Sequence, residues 1–313
     1  MKLRNLNSLL LAILTFGNSF AQRSTPYGNT IVDRWKKAIV KLESIQQRYT
    51  FSQVDVLLQK QIDTIKALSQ HDKYNRQAEL LTLKDTIRGT ALLVSDGAKI
   101  YLITARHLIK ATENEGNNLE SINDLISIQV KLGNKASNDI SLMNLSTNVI
   151  DRRPFVFSSD QIDIGIISFQ KSSYKPILAY LKQNGCEPMP IQFIDEMADA
   201  VIGDQIFTIG FPALPGTDYT SPVVSEGKIS KFNKPTSFFM GNIAVYPGNS
   251  GGPVIKGNKL IGIVSFQQGI STNLDAAMHP FDKATSASII KATYILPLLR
   301  KLQENEKKPF FGK

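Results

Sequence analysis

The chain has 313 residues, 42% of them hydrophobic and 20% charged, a balance that excludes a disordered or fibrous polymer and suffices for one large or two modest cores. Its 36 Lys and Arg against 27 Asp and Glu give a formal charge of +9. The basic residues are scattered without a Lys/Arg block, so neither a nucleic-acid surface nor a nucleic-acid partner is expected.

Lys2 and Arg4 precede the apolar run Leu9 to Phe16 and the small-residue site Ser19-Phe20-Ala21, the pattern of a signal peptide over residues 1–21. The run is far shorter than the ~20 residues that span a bilayer as a helix, and no later stretch is long and apolar enough to do so. An exported protein, periplasmic or secreted, is expected, with an uncleaved anchor as the alternative. Residues 22–85 read as an N-terminal segment with a helical insertion. Ile31, Trp35, Ile39 and Leu42 recur at helical steps, although Ala38 to Leu42 reads equally as a strand. Val54, Leu57, Leu58, Ile62, Ile65 and Leu68 predict one or two amphipathic helices within 52–82.

After Arg88 the character changes to short apolar runs punctuated by Gly, Pro, Asn and Asp. Strands are predicted at 90–94, 99–104, 125–132, 140–146, 163–169, 205–209, 223–230, 242–246, 253–256 and 259–266. Many short strands without alternating helices predict an antiparallel all-β fold. A helix is expected from Ala292 through Leu302, followed by a charged tail over 304–313. The single cysteine, Cys186, excludes an intramolecular disulfide and reads as a small buried hydrophobe. Cys/His spacing for a metal is missing, and no metal or organic cofactor is expected.

The chemistry concentrates in Tyr246-Pro-Gly-Asn-Ser-Gly-Gly-Pro-Val254. A serine hydroxyl is a poor nucleophile unless it is held exposed beside a base, and small residues on both sides let Ser250 protrude. Gly248 has access to backbone angles closed to other residues, so its N–H and that of Ser250 can aim at one spot as an oxyanion hole. Taken alone, the segment also reads as a glycine-rich turn between strands. Of three histidines, His71 lies among polar residues and His279 precedes Pro280 in a loop. His107 closes the strand Ile100 to Thr104, where the imidazole meets both core and solvent. A lone histidine there is more often structural, and the serine segment reverses that balance. Asp163 leads the apolar strand Asp163-Ile-Gly-Ile-Ile-Ser-Phe169, a costly place for a carboxylate without a partner. Asp160 reads instead as a turn residue.

Gly89-Thr-Ala-Leu-Leu-Val94, Leu102-Ile-Thr-Ala-Arg-His107, Asp163-Ile-Gly-Ile-Ile167 and Gly248-Asn-Ser-Gly-Gly-Pro253 resemble, in order, the trypsin-like serine proteases of the chymotrypsin fold. Ile209-Gly-Phe-Pro212, Gly227-Lys-Ile-Ser230 and Leu260-Ile-Gly-Ile-Val-Ser265 extend the likeness, which is nearest to the HtrA-type bacterial peptidases. The resemblance implies two six-stranded antiparallel Greek-key barrels, with an N-terminal helical segment and a C-terminal helix. The first barrel, over 86–175, would bring His107 and Asp163. The second, over 176–303, would bring Ser250, and the site would lie in the cleft between them. It further implies that Ser265 and Phe266 occupy the strand that pairs with an extended peptide, that Gln267, where many relatives have glycine, narrows the pocket, and that Ala244 lies near the pocket floor. Ala244 offers no acid for Lys or Arg, so small or medium apolar residues are expected before the scissile bond.

The resulting expectation is a serine endopeptidase that works through a Ser250–His107–Asp163 triad and an acyl-enzyme. Its alternative is a catalytically silent protease-fold scaffold that binds peptide or protein partners; a third reading has the insertion covering the cleft and holding the enzyme latent. Arg106 stands where relatives carry a small or amide residue, and its stem is expected to reach outward to solvent. Asn249 replaces the aspartate that digestive relatives use to bind a freed N-terminal ammonium, so that mode of activation is not expected. The short tail leaves no room for the PDZ domain of many HtrA-type proteases.

Overall fold

The computed structural model describes residues 26–47, 54–59, 70–109, 127–133, 141–146, 154–159, 162–195, 200–213, 219, 221–232, 234–265 and 286–307. The segment read as a signal peptide lies outside the described residues. Helix α1 (Pro26–Ala38) runs directly into strand β1 (Ile39–Gln47), which resolves the ambiguous stretch after Ala38 as strand. In the insertion, residues 54–59 and helix α2 (Gln70–Thr82) are helical. Val54, Leu58 and Leu80 bury against one another there as a small cluster of their own.

The first half is a sheet built from β1, β2 (Lys84–Ser95), β3 (Ile100–Ala105), β4 (Ser127–Gly133), β5 (Ser141–Ser146), β6 (Phe155–Phe157) and β7 (Ile164–Ser168). Its order is β5-β4-β1-β2-β3-β7-β6, all antiparallel, with no ladder joining the two ends among the described residues. Helix α3 (Lys175–Gln183) and the two-residue β8 (Met189–Pro190) follow, and β8 lies parallel to β2. The second half is a closed six-stranded barrel of β9 (Gln205–Gly210), β10 (Val223–Lys231), β11 (Phe238–Ile243), β12 (Pro253–Lys256), β13 (Lys259–Ser265) and β14 (Ala287–Lys291). The architecture is the mostly antiparallel, chymotrypsin-like one expected, with full closure seen in the second half. The sequence reading missed β1 as a settled strand, β6, β8, β14 and α3, and it set β11 three to four residues too late.

Strands near the middle of the first sheet carry no polar face, and the core shows why. Along β2, Ala91 and Leu93 bury into the interior of the first half, together with Leu102 of β3 and Ile167 of β7. The alternate residues Leu92 and Val94, with Tyr101, Ile103, Ile164 and Ile166, bury into a second cluster on the opposite face. That cluster also holds Trp35 from α1 and Ile209, Phe211, Ile255, Leu260 and Ile290 from the closed barrel. Side chains of a strand alternate between faces, so a sheet covered on both sides reads as a continuous apolar run. The closed barrel has its own interior, filled by Ile206, Phe239, Ile243, Val254, Ile261, Val264 and Ile289.

Helix α4 (Ile295–Lys307) leaves the closed barrel and returns to the first half, where Ile295, Leu299 and Leu302 join the shared cluster. It extends five residues beyond Leu302. Its polar side is tied down as well: Gln303 Nε2 donates to Asp96 Oδ2 at 2.8 Å and to Tyr101 Oη at 3.0 Å, and Lys99 Nζ pairs with Glu306 at 2.6 Å. Burial pushes the Tyr101 phenol up to about 12. No described helix is long and apolar enough to cross a membrane.

Candidate active site

β3 ends at Ala105, and the chain tightens into a single 3-10 turn, Arg106–Leu108, that carries His107. Leu108 anchors the turn from below; it is fully buried and packs so closely on Gly89 that a methyl group there would collide with its side chain. Asp163 meets His107 twice. The His107 backbone N–H donates to Oδ1 at 2.9 Å, and ring Nδ1 lies 2.9 Å from Oδ2. With the carboxylate as acceptor, Nδ1 carries the proton and Nε2 presents its lone pair.

Asp163 is 6% exposed and is the sole described non-glycine residue with positive φ, at 51°. Aspartate tolerates this left-handed backbone better than most residues, but it still costs roughly 1 kcal/mol. The surrounding bonds hold it there. Ile162 and Asp163 N–H groups both donate to the Ser159 carbonyl, at 3.1 and 3.2 Å, and the Arg106 N–H donates to the Asp163 carbonyl at 3.1 Å. Arg106 corrects the expectation of an outward stem. It is buried, 7% exposed, and its Nη1 donates to the Ser158 carbonyl at 2.8 Å, clamping the start of the Asp163 turn. Burial pushes the Asp163 carboxyl up, but the His107 ring, the Ser265 hydroxyl and the His107 N–H together outweigh it and hold the group below its ordinary range.

Ser265, expected at the peptide-pairing edge, ends β13 and sends its hydroxyl to Asp163 Oδ2 at 2.5 Å. The sequence contained a signal for this: a fully buried hydroxyl closing the apolar run from Leu260 requires a partner. Ser265 is thus the point where the closed barrel touches the His107–Asp163 pair. Phe266 and Gln267 lie outside the described residues. Ala244 is half-buried between the buried Ile243 and Val245. His71 is exposed on α2, and His279 lies outside the described residues.

The Ser250 segment crosses between β11 and β12 as a run of peptide groups that can be accounted for one by one. The Pro247 carbonyl accepts from Ala213 N–H at 2.7 Å, and Asn249 N–H donates to the Tyr246 carbonyl at 2.9 Å. The Gly248 carbonyl accepts from Thr90 Oγ1 at 2.8 Å, and the Asn249 carbonyl accepts from Gly252 N–H at 2.9 Å. The Ser250 carbonyl accepts from Thr90 N–H at 2.8 Å, while Gly251 N–H donates to the Val264 carbonyl at 2.8 Å. Two N–H groups are left over, those of Gly248 and Ser250. Both residues are buried, and neither N–H has an acceptor among the described residues. Gly248 has φ 99°, and a side chain there would strike the Phe211 carbonyl. Gly251, at φ 82°, packs against the Thr90 carbonyl and Thr104 Oγ1, two residues before the His107 turn begins at Arg106.

The structure therefore gathers His107, Asp163, Ser265 and the Ser250 loop at the junction of the two halves. No group of three or more His, Cys, Asp or Glu side chains able to hold a metal ion occurs among the described residues. A family model described as a trypsin-like peptidase domain matches residues 89–263, more than half of the chain, and the protein belongs to that family. Among solved structures, the chain is similar to an HtrA-type protease, a variant of AlgW with a decapeptide, at TM-score 0.51 and 16% identity, over 89% of this chain and 67% of that one. A second AlgW structure, with a tripeptide, aligns at TM-score 0.48 and 16% identity, over 88% of this chain and 63% of that one. No curated protein matches significantly in sequence.

Proposed function

We propose that the protein is a serine endopeptidase in which Ser250 is the nucleophile, His107 the general base and Asp163 the group that orients it. The observation that carries this reading is the pair of N–H groups of the buried Gly248 and Ser250, left without acceptors among the described residues in a loop where the N–H groups of Asn249, Gly251 and Gly252 are bonded. A buried donor without a partner costs about 1–3 kcal/mol, and a negatively charged oxygen developing beside Ser250 would satisfy both at once.

Ser250 Oγ attacks the substrate carbonyl as His107 Nε2 takes its proton, and the carbonyl oxygen becomes an oxyanion between the two N–H groups. Asp163, held ionised by its hydrogen bonds, stabilises the imidazolium. His107 then gives the proton to the leaving amine, the C–N bond breaks, and an acyl-Ser250 ester remains. Water attacks the ester with His107 again as base, releasing the acid and restoring the hydroxyl. Protonation of His107 removes the base, so hydrolysis falls in acid.

A peptide is the substrate class we favour, since the similar AlgW structure was solved with one. With Ala244, which offers no acid, at the implied pocket floor, small or medium apolar residues are favoured before the scissile bond. The basic start and apolar run of residues 1–21 support export to the periplasm or medium. A fluorophosphonate probe tests the assignment. The full chain should be tagged at Ser250 and the Ser250→Ala chain should not; a folded wild-type chain that hydrolyses no peptide and takes no tag would overturn the proposal in favour of a silent peptide-binding scaffold.

A further inference from the structure

Thr90 belongs to the first half, at the start of the apolar part of β2, yet it reaches across to the Ser250 loop of the second. It is fully buried, and its N–H, carbonyl and hydroxyl make four hydrogen bonds. Its N–H donates to the Ser250 carbonyl at 2.8 Å, and its carbonyl accepts from Thr104 Oγ1 at 2.7 Å. Its hydroxyl accepts from Phe211 N–H at 2.9 Å and donates to the Gly248 carbonyl at 2.8 Å. Because Phe211 N–H occupies a lone pair of the oxygen, the hydroxyl proton is directed at Gly248, and each bond of this relay polarises the next.

The geometry points to Thr90 as a positioning residue for the oxyanion donors, an inference that rests on the proposed peptidase activity. Of the four carbonyls between Pro247 and Ser250, Thr90 holds two, one on each side of Asn249. The Gly248 carbonyl shares its peptide plane with the Asn249 N–H and the Ser250 carbonyl shares its plane with the Gly251 N–H, so Thr90 holds the peptides on either side of the one that carries the Ser250 N–H. The peptide that carries the Ser250 N–H is thereby clamped from both sides, and the one that carries the Gly248 N–H from its C-terminal side. The Thr104 bond ties the same residue to the strand that leads to His107. Thr90 thus carries the register between base and oxyanion donors without touching substrate.

The test compares the wild-type full chain with Thr90→Val, which keeps the β-branched shape and removes the hydroxyl, and with Thr90→Ser, which restores it. Thr90→Val should lower kcat roughly 10- to 100-fold with KM within about twofold, since the lost bond acts on transition-state charge. Affinity for a peptide boronate, which forms a tetrahedral adduct at the serine, should fall in parallel with kcat, while affinity for the hydrolysed peptide product should not. Thr90→Ser should recover most of kcat. Gly210→Ala is a second route that leaves Thr90 in place: its methyl group would lie 3.0 Å from Thr90 Oγ1 and Asn249 Oδ1 and should displace the hydroxyl with the same kcat signature. Folded variants with wild-type kcat and boronate affinity, or loss that appears in KM alone, would overturn the inference while leaving the peptidase assignment standing. A wild-type chain that takes no fluorophosphonate overturns both.

Discussion

The two halves supply the candidate site in different ways. The closed barrel contributes a loop of backbone, in which nearly every peptide group between Pro247 and Gly252 is bonded and the useful groups are the two left over. The open first sheet contributes side chains, and it holds them with strain and buried charge: Asp163 at positive φ, clamped by Arg106 and the Ser158–Ser159 turn. Closure gives the barrel a fixed rim on which a loop can be set atom by atom. The first sheet instead needs local clamps to place a carboxylate and an imidazole at its edge.

If that division is right, damage to the two halves should have different signatures. The largest effect belongs to the proposed nucleophile on the barrel side: Ser250→Ala should lower kcat by about 10⁶, leaving a residual rate from binding and the proposed oxyanion donors, as peptide hydrolysis assays would show. On the sheet side, Asp163→Asn should lower kcat about 10⁴-fold by presenting the wrong imidazole tautomer, with fluorophosphonate tagging slowed to match. Gly248→Ala strikes the Phe211 carbonyl and would disturb one of the proposed oxyanion donors, so kcat should fall about 10²–10³-fold. That variant should also unfold at lower temperature, whereas Ser250→Ala should melt near the wild type.

A pH series separates the halves without touching the loop. The Asp163 carboxyl is lowered from its ordinary 3.8 in the folded protein, so its contribution to stability is complete above that value and is lost as pH falls through the lower folded value. Denaturant unfolding of wild type against Asp163→Asn should show a difference that shrinks steadily below about pH 4; a constant difference would mean the carboxylate is not held ionised by its neighbours. The smallest effect concerns the tie between halves at Tyr219, whose buried hydroxyl donates to the Gly89 carbonyl at 3.1 Å. Tyr219→Phe should cost about 1 kcal/mol in the same unfolding measurement, with activity little changed.

Much of this was legible in the sequence because it is written in residue type. Gly248 and Gly251 need their identities for steric reasons, and β2, β3 and β13 announce themselves as apolar runs. Pairing and return paths were not legible. β14 is five ordinary residues, Ala287 to Lys291, whose strand character comes from lying between β11 and β13. Arg106 looked like a surface residue because its partner, the Ser158 carbonyl, is a backbone group 52 positions away. Thr90 was visible only as a member of an apolar segment and Ser265 only as part of the peptide-pairing edge that the resemblance implies, and the contacts both make cross the two halves. Residue type reveals a hydroxyl, but only folding reveals what it meets.

The last helix has a topological consequence. By chain order α4 follows the barrel, but its apolar face and its Gln303 and Glu306 grip the opposite sheet, so the second half embraces the first instead of merely abutting it. Cutting the backbone once between the halves would not set them free, because the clasp lies downstream of both. The molecule should therefore melt as one cooperative body, its two halves joined at a seam held shut at the rear.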